Sequence, residues 1–369
     1  MKIVFFIHSL IGGGAERVTV NLSSELIRRG HKVIISLNNN TVEYDIDYRI
    51  EIVTMPPPKE FKGHNIFKRI YYSIYNHYLE LQGTSRIIKK VSPDIIIASW
   101  GSHLWAILLS HKKIPVIASE HNTFDRHHKC SEKINRFLLN RFLSKVVVLT
   151  NYDKEFVSKY LRNTVVIPNP LTYSPISQEE YEILFPSRKN ILACGRINAY
   201  HTKGFDNLII AFSKIASKYP SWDLDIAGAG STDKMLFLKK IAQQYGVENR
   251  VHLLGFCRNI DELMKTHSVF VLSSRSEGFG MVITEAMAMG CTCISYALTG
   301  PSEIINDGID GTLVENQNID KMSEALSLLM SDAVERKNQG EKALKNVLRY
   351  SVDIITDQWE SLMMELVNE

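Results

Sequence analysis

Residues 2–37, KIVFFIHSLIGGGAERVTVNLSSELIRRGHKVIISL, read as a strand, a glycine turn, a helix and a second strand. Lys2–His8 is an apolar, extended run that Gly12, Gly13 and Gly14 break. Ala15, Val18, Leu22 and Leu26 then recur at helical spacing, and Gly30 stops the helix behind Arg28 and Arg29. Lys32–Leu37 is the next strand. A strand, a crossover helix and a second strand at this spacing make a parallel βαβ unit, and the rest of the chain continues it. Apolar runs at Asp94–Ala98, Val116–Ser119 and Val146–Thr150 alternate with helical patterns. A second series opens with Ile191–Cys194, and Phe205, Leu208, Ile209, Phe212 and Ile215 give its first helix. Strands at Leu224–Ala227, Val251–Leu254, Val269–Leu272 and Cys291–Ser295 follow. Asn169–Arg188, with Pro170, Pro175 and Pro186 and no clear period, reads as a linker between two doubly wound α/β domains. Ligands in such sheets bind beyond the carboxyl ends of the strands, so two facing sheets would put the site in the cleft. Ile354–Val367 reads as a closing amphipathic helix whose docking partner the pattern does not name.

Composition agrees with an ordinary globular protein: 369 residues, 45% hydrophobic and 22% charged. A formal net charge of +3 argues against a dedicated nucleic-acid binder. That total conceals an asymmetry. Residues 1–185 hold 24 Lys+Arg against 17 Asp+Glu, and residues 186–369 hold 19 against 23. The five cysteines form no CxxC and no even framework, which suits a reducing compartment. The N-terminus reads as a strand rather than a secretory signal. The longest charge-free stretch, Ile95–His111, is too short and too polar to span a bilayer.

Chemistry gathers in the loops that follow the strands. The Gly12–Glu16 turn would let backbone N–H groups approach a phosphate or sugar at a helix start, or serve as a tight turn alone. Arg17 stands where a dinucleotide fingerprint needs glycine, and Ser36-Leu37-Asn38 offers no acid at the end of strand two, so a dehydrogenase is disfavoured. In SRSEGFGMVITEAMAMG, residues 274–290, a loop carrying Glu277 leads into a helix carrying Glu285. The helix start presents the amides of Gly280, Met281 and Val282. Two carboxylates and free amides can bracket a polyol, although a loop glutamate is as readily just solvated. Arg196 and Lys203 in GRINAYHTKGF put two cations at one strand-to-helix loop, which suits a diphosphate. His121, in SEHN, follows another strand; a lone loop histidine is more often structural. His127 and His128 beside Cys130 lack a matching second pair, and the Asp45/Asp47 and Asp223/Asp225 triplets are weak signals, so no metal site is assigned.

These pieces together carry a resemblance. With GGGAE, SEHN, VIPNPL, GRINAYHTKG, GFCRN, SEGFGMVITEAMAMG and TGPSEIINDG, the chain resembles the retaining glycosyltransferases of family 4 over nearly its whole length. The resemblance implies the α/β GT-B fold, with two Rossmann-like domains facing across a cleft. Residues 1–175 would bind the acceptor, with a C-terminal helix, 352–369, crossing back to them; residues 176–351 would bind a nucleotide sugar. It implies that Glu285 takes the ribose hydroxyls, while Glu277 and the amides of Gly280, Met281 and Val282 hold the donor sugar. Arg196 and Lys203 would neutralise the diphosphate, His121 would sit near the reacting carbon, and Gly13 and Gly14 would close over the phosphates. No metal or other cofactor is expected. No carboxylate is evident as a nucleophile for double displacement, so a same-face route is expected, in which the departing phosphate helps deprotonate the acceptor.

YALTGPSEII and the short GGGAE opening are similar to polysaccharide and O-antigen assembly members that use UDP-linked sugars; GDP-mannose users share most of these motifs. The expected acceptor is a polyprenyl-diphosphate-linked saccharide. Lys59–Lys90 carries seven Lys/Arg, His64 and His77 against Glu60 and Glu80, interleaved with Phe61, Phe67, Tyr71, Tyr72, Tyr75 and Tyr78. That composition suits a cytoplasmic enzyme resting on an anionic membrane, or aromatics packed inside the first domain. The rival readings are a nucleotide-sugar epimerase or glycosidase using Glu277 and Glu285, a two-lobed sugar-binding module, and a nucleic-acid binder.

Overall fold

The computed structural model describes residues 1–59, 65–99, 101, 103–111, 113–121, 138–139, 141–158 and 163–369. It divides into two compact units, residues 1–172 with 352–369, and residues 173–351.

Unit 1 is a seven-stranded parallel sheet: β1 (Lys2–Phe6), β2 (Lys32–Leu37), β3 (Glu51–Thr54), β4 (Ile95–Ser99), β5 (Val116–Ser119), β6 (Lys145–Val148) and β7 (Thr164–Val166). Their order is β3-β2-β1-β4-β5-β6-β7, so the winding reverses between β1 and β4. The central strands are buried on both faces, which is why KIVFF and IIIAS are near-continuous apolar runs. One face packs Val20, Leu22 and Leu26 of the helix Gly14–Arg28. The other packs Ile87, Ile88 and Val91 from the long helix Ile66–Val91.

The closing helix Val352–Asn368 belongs to unit 1 and buries Ile355, Trp359, Leu362, Met363 and Leu366 in the first of these cores. Its acidic side meets the basic end of the first helix. Asp353 pairs with Arg28 at 2.7 Å, Asp357 and Glu360 with Arg29, Glu360 with His31 at 2.6 Å, and Glu365 with Lys145 at 3.1 Å. Residues 352–369 hold five acids and no Lys or Arg, so this helix offsets half of the formal +10 carried by residues 1–172.

Unit 2 is a six-stranded parallel sheet: β8 (Lys189–Cys194), β9 (Leu224–Ala227), β10 (Val251–Gly255), β11 (His267–Leu272), β12 (Thr292–Tyr296) and β13 (Gly311–Val314). Its order, β10-β9-β8-β11-β12-β13, places the reversal between β8 and β11. β11 and β12 are buried throughout, and Cys293 is part of that apolar filling, its thiol pushed up by desolvation.

The structure differs from the sequence reading in two ways. The supposed linker contains a helix, Gln178–Leu184, capped by Ser177 and anchored by the fully buried Tyr181. Its period was hidden because it is short and buries only that residue. β3, β7 and β13 were also missed. All three end a sheet, and their half-exposed strands carry no continuous apolar run.

Candidate active site

In unit 2 the loops after β8 and β11 meet at the switch point of the sheet. β8 runs out through Gly195 into Arg196, which is exposed, and then into the short helix Tyr200–Lys203. The Lys203 stem lies over Gly195, where an added Cβ would stand 3.2 Å from its Cγ and Cδ. Lys203 Nζ reaches across to Glu277 Oε2 at 2.8 Å, and Ser274 donates its hydroxyl to the same oxygen at 3.2 Å. The two ionic side chains are about one-fifth exposed, 22% and 19%, so the pair is open to a ligand yet partly shielded from water.

Two close backbone approaches hold these loops in register. Gly204, at φ +67, passes so near the Ser273 carbonyl that a Cβ would stand 1.8 Å from its oxygen. Ser273 also donates its hydroxyl to the Lys203 carbonyl at 2.9 Å. Arg275 adds a clamp that the sequence reading passed over. It forks onto Asp206 at 2.7 and 3.0 Å, donates to Asn207 at 2.7 Å, and its amide donates to the Thr202 carbonyl at 2.8 Å. Only half of the signal was local: Arg275 stands between a buried strand and a glycine turn, but its partner Asp206 lies 69 residues upstream, in the first turn of the helix Phe205–Ser213.

The helix Met281–Ala288 starts from Gly280, whose φ of +94 turns the chain out of the Glu277 loop. Its first-turn amides, Gly280, Met281 and Val282, precede the helix's own hydrogen-bond ladder. Glu285 lies one turn in and is only 4% exposed, close enough to Cys194 at the end of β8 to raise that thiol further beyond the effect of burial. Gly300 of TGPSEII lets the next helix, Thr299–Ile304, lie against this loop; a Cβ there would meet the Gly278 and Phe279 carbonyl oxygens at 2.3 Å. Unit 2 thus brings Lys203, Glu277 and the helix start together, with Glu285 buried behind them.

In unit 1 the corresponding edge is dressed differently. Tyr44 accepts from the Gly13 amide at 2.8 Å and donates to the Gly13 carbonyl at 2.9 Å. The Glu16 carboxylate folds back over Gly13, where a Cβ would stand 2.1 Å from Oε2. The start of the first helix therefore already holds an anion, and Gly13 N–H is engaged. His121 follows β5, with Nε2 3.1 Å from the Ser119 hydroxyl. It lines a small pocket with Ile7, Thr19, Ser99, Ser119 and Trp359. Burial pushes His121 down to about 4, with Asn169 opposing the shift, so the ring is neutral near pH 7. His127, His128 and Cys130 lie outside the described residues.

The helix Ile66–Val91 answers the question its composition posed. Its first half exposes Ile66, Phe67 (79%), Ile70, Tyr71, Ile74 and Tyr78, beside exposed Lys68 and Arg69, while the buried residues lie in its second half. The aromatics of that first half are not core. Glu60, Phe61 and His64 lie outside the described residues. Among the described residues no helix is long and apolar enough to cross a membrane.

Known proteins match both units. The glycosyltransferase family 4 model matches residues 12–172, and the model of glycosyl transferases group 1 matches residues 179–346. A glycosyltransferase of Haemophilus influenzae is 26% identical over 98% of this chain and 99% of its own length. A Campylobacter jejuni α-1,4-N-acetyl-D-galactosaminyltransferase, named for an undecaprenol-diphosphate-linked acceptor, is 24% identical over 100% of this chain and 99% of its own. The crystal structure of a Rickettsia africae glycosyltransferase superposes with a TM-score of 0.81 at 21% identity, covering 99% of this chain and 98% of that one. The strand orders, the loaded carboxyl edges and these matches agree: the chain belongs to the glycosyltransferases of family 4, enzymes of the GT-B fold.

Proposed function

We propose that this glycosyltransferase moves a hexose or N-acetylhexosamine, with retention, from a UDP-linked donor to a polyprenyl-diphosphate-linked saccharide during assembly of a cell-surface polysaccharide. Unit 2 takes the nucleotide sugar and unit 1 the acceptor. The observation that carries the reading is the Lys203–Glu277 pair beside the Met281 helix start at the unit 2 switch point. As the glycosidic C–O bond breaks, negative charge gathers on the diphosphate. Lys203, already fixed by Glu277 and by the Gly204–Ser273 contact, meets that charge without reorganising, and the exposed Arg196 adds a second cation. Glu277 and the amides of Gly280, Met281 and Val282 hold the sugar, and Glu285 the ribose. His121, kept neutral by burial, would accept or donate one hydrogen bond to the sugar beside the reacting carbon without adding charge. Gly13 and Gly14 close over the phosphates once Glu16 and Tyr44 give way. No metal or cofactor takes part in this reading.

The lipid-linked acceptor rests on the acceptor named for the Campylobacter relative and on the exposed Ile66–Tyr78 stripe. Its apolar and aromatic side chains flanked by Lys68 and Arg69 suit the headgroup layer on the cytoplasmic face of an anionic membrane. Calorimetry with UDP, GDP and their sugar conjugates tests the donor; binding of GDP-mannose and not of UDP-sugars would replace the donor assignment. The anomeric configuration of the product, read by NMR, tests retention. Flotation with phosphatidylglycerol vesicles tests the membrane contact: Lys68→Glu with Arg69→Glu is expected to abolish most binding, and unchanged flotation would remove it.

A further inference from the structure

Three loops and a helix bring His8, Asn38, His103 and Glu80 into one hydrogen-bonded chain at the carboxyl edge of the unit 1 sheet. His103 Nδ1 meets Glu80 Oε1, and its Nε2 meets Asn38 Oδ1 at 2.6 Å. Asn38 Nδ2 in turn meets His8 Nδ1 at 3.2 Å. The residues come from positions that matter: His8 follows β1, Asn38 follows β2, and His103 follows β4, so the chain spans the β1–β4 switch point. Glu80 stands on the helix Ile66–Val91.

The proton positions follow from the partners. A carboxylate and an amide oxygen can only accept, so both nitrogens of His103, as placed, face acceptors. The Glu80 carboxyl is held below its usual range, chiefly by this bond. With Asn38 Oδ1 committed to His103, its Nδ2 must donate to His8, so His8 Nδ1 accepts and His8 carries its own proton on Nε2. Nothing among the described residues bonds that Nε2, and His8 is exposed. His103 is 7% exposed on its side chain and sits in the left-handed region at φ +54, rare for a residue with a Cβ. Such backbone persists where its surroundings over-determine it, and it clusters at functional sites.

We propose that His8 is a substrate-contacting residue: its Nε2–H donates to a sugar hydroxyl of the acceptor, and Asn38, His103 and Glu80 are positioning residues that set its tautomer. This rests on the reading that unit 1 takes the acceptor. The chemistry selects a hydroxyl over a phosphate. His103 and Glu80 are engaged with each other within the chain, and His8 offers a single N–H donor, whereas a diphosphate calls for Lys or Arg.

The full-length protein labelled with ¹⁵N-histidine supplies the test. NMR is expected to show His8 as the Nε2–H tautomer. Asn38→Asp, which can accept from both rings, should convert His8 to a form that donates from Nδ1. Free N-acetylgalactosamine is expected to shift the His8 signals, and inorganic pyrophosphate to leave them in place. A response to pyrophosphate alone, or to neither probe, overturns the proposal. In transfer assays His8→Ala should raise the acceptor KM about tenfold, the loss of one good hydrogen bond. His8→Gln, which keeps an N–H donor, should restore most of that, and UDP affinity should stay the same. A change in UDP affinity with an unchanged acceptor KM would also overturn it. If wild-type protein binds no UDP-sugar, the donor reading falls while the NMR arms still decide this one.

Discussion

The two sheets of this protein share one winding and carry different chemistry on the same edge. At the β8–β11 switch point, unit 2 sets out ions: Lys203 on Glu277, and Arg275 forked onto Asp206. At the β1–β4 switch point, unit 1 sets out imidazoles and amides: His8, Asn38, His103 and, one strand further, His121. The first edge suits a diphosphate whose charge grows as a bond breaks, and the second suits sugar hydroxyls. Fold alone does not distinguish the two edges, because the strand orders are equivalent; the side chains at the strand ends do.

The comparison can be broken at its most rigid point first. Gly204→Ala places a Cβ 1.8 Å from the Ser273 carbonyl oxygen in a left-handed backbone. Overpacking and strain together should cost about 4 kcal/mol, read as a lower urea midpoint for unit 2. A midpoint within error of wild type would show that the ionic edge is not locked. Acid titration probes the other edge. His121 titrates at about 4 in the fold, against 6.5 as an ordinary histidine. Between those values the unfolded chain takes up a proton that the folded chain refuses, so stability falls as pH drops from 6.5 to 4, by about 3 kcal/mol. His121→Asn should flatten that part of the pH–stability curve.

Lys203→Ala sharpens the contrast in function. Turnover should drop about 100-fold while UDP affinity changes little, because the lysine acts where charge develops. Equal losses in both would make it a binding residue only. The smallest effect is expected away from both edges. Arg29→Ala removes the partner of Asp357 and Glu360, where Arg29 and Glu360 are mostly buried. That should cost about 2 kcal/mol of unit 1 stability, less than a fully buried pair because Asp357 remains solvated.

Much of this was legible in the sequence for identifiable reasons. Central parallel strands are buried on both faces, so KVIISL, IIIAS and HSVFVL stand out as unbroken apolar runs. Candidate site residues that follow such strands inherit their visibility: Arg196 and Lys203 after β8, Glu277 after β11, His121 after β5. β3, β7 and β13, three of the four strands that end a sheet, lack that signature and were missed for it, whereas β10, the fourth, was read from Val251–Leu254. His103 and Arg275 also follow strands, yet their partners Glu80 and Asp206 are 23 and 69 residues away. Nothing local announces such a pair.

The charge asymmetry between the two halves shows the same division. Sequence counting alone established that the first half is basic. The fold then brought the acidic helix Val352–Asn368 from the far end of the chain onto Arg28, Arg29, His31 and Lys145. Part of that positive charge is therefore spent inside unit 1, and Lys68 and Arg69 are left outside among exposed aromatics. Period, composition and motif spacing are local properties, and by themselves they determined the α/β class, the two-sheet plan and which loops hold the candidate site residues. Which charge meets which, which glycine yields to a neighbouring carbonyl, and which histidine has its proton placed for it depend on contacts between distant residues. Only the tertiary structure decided those.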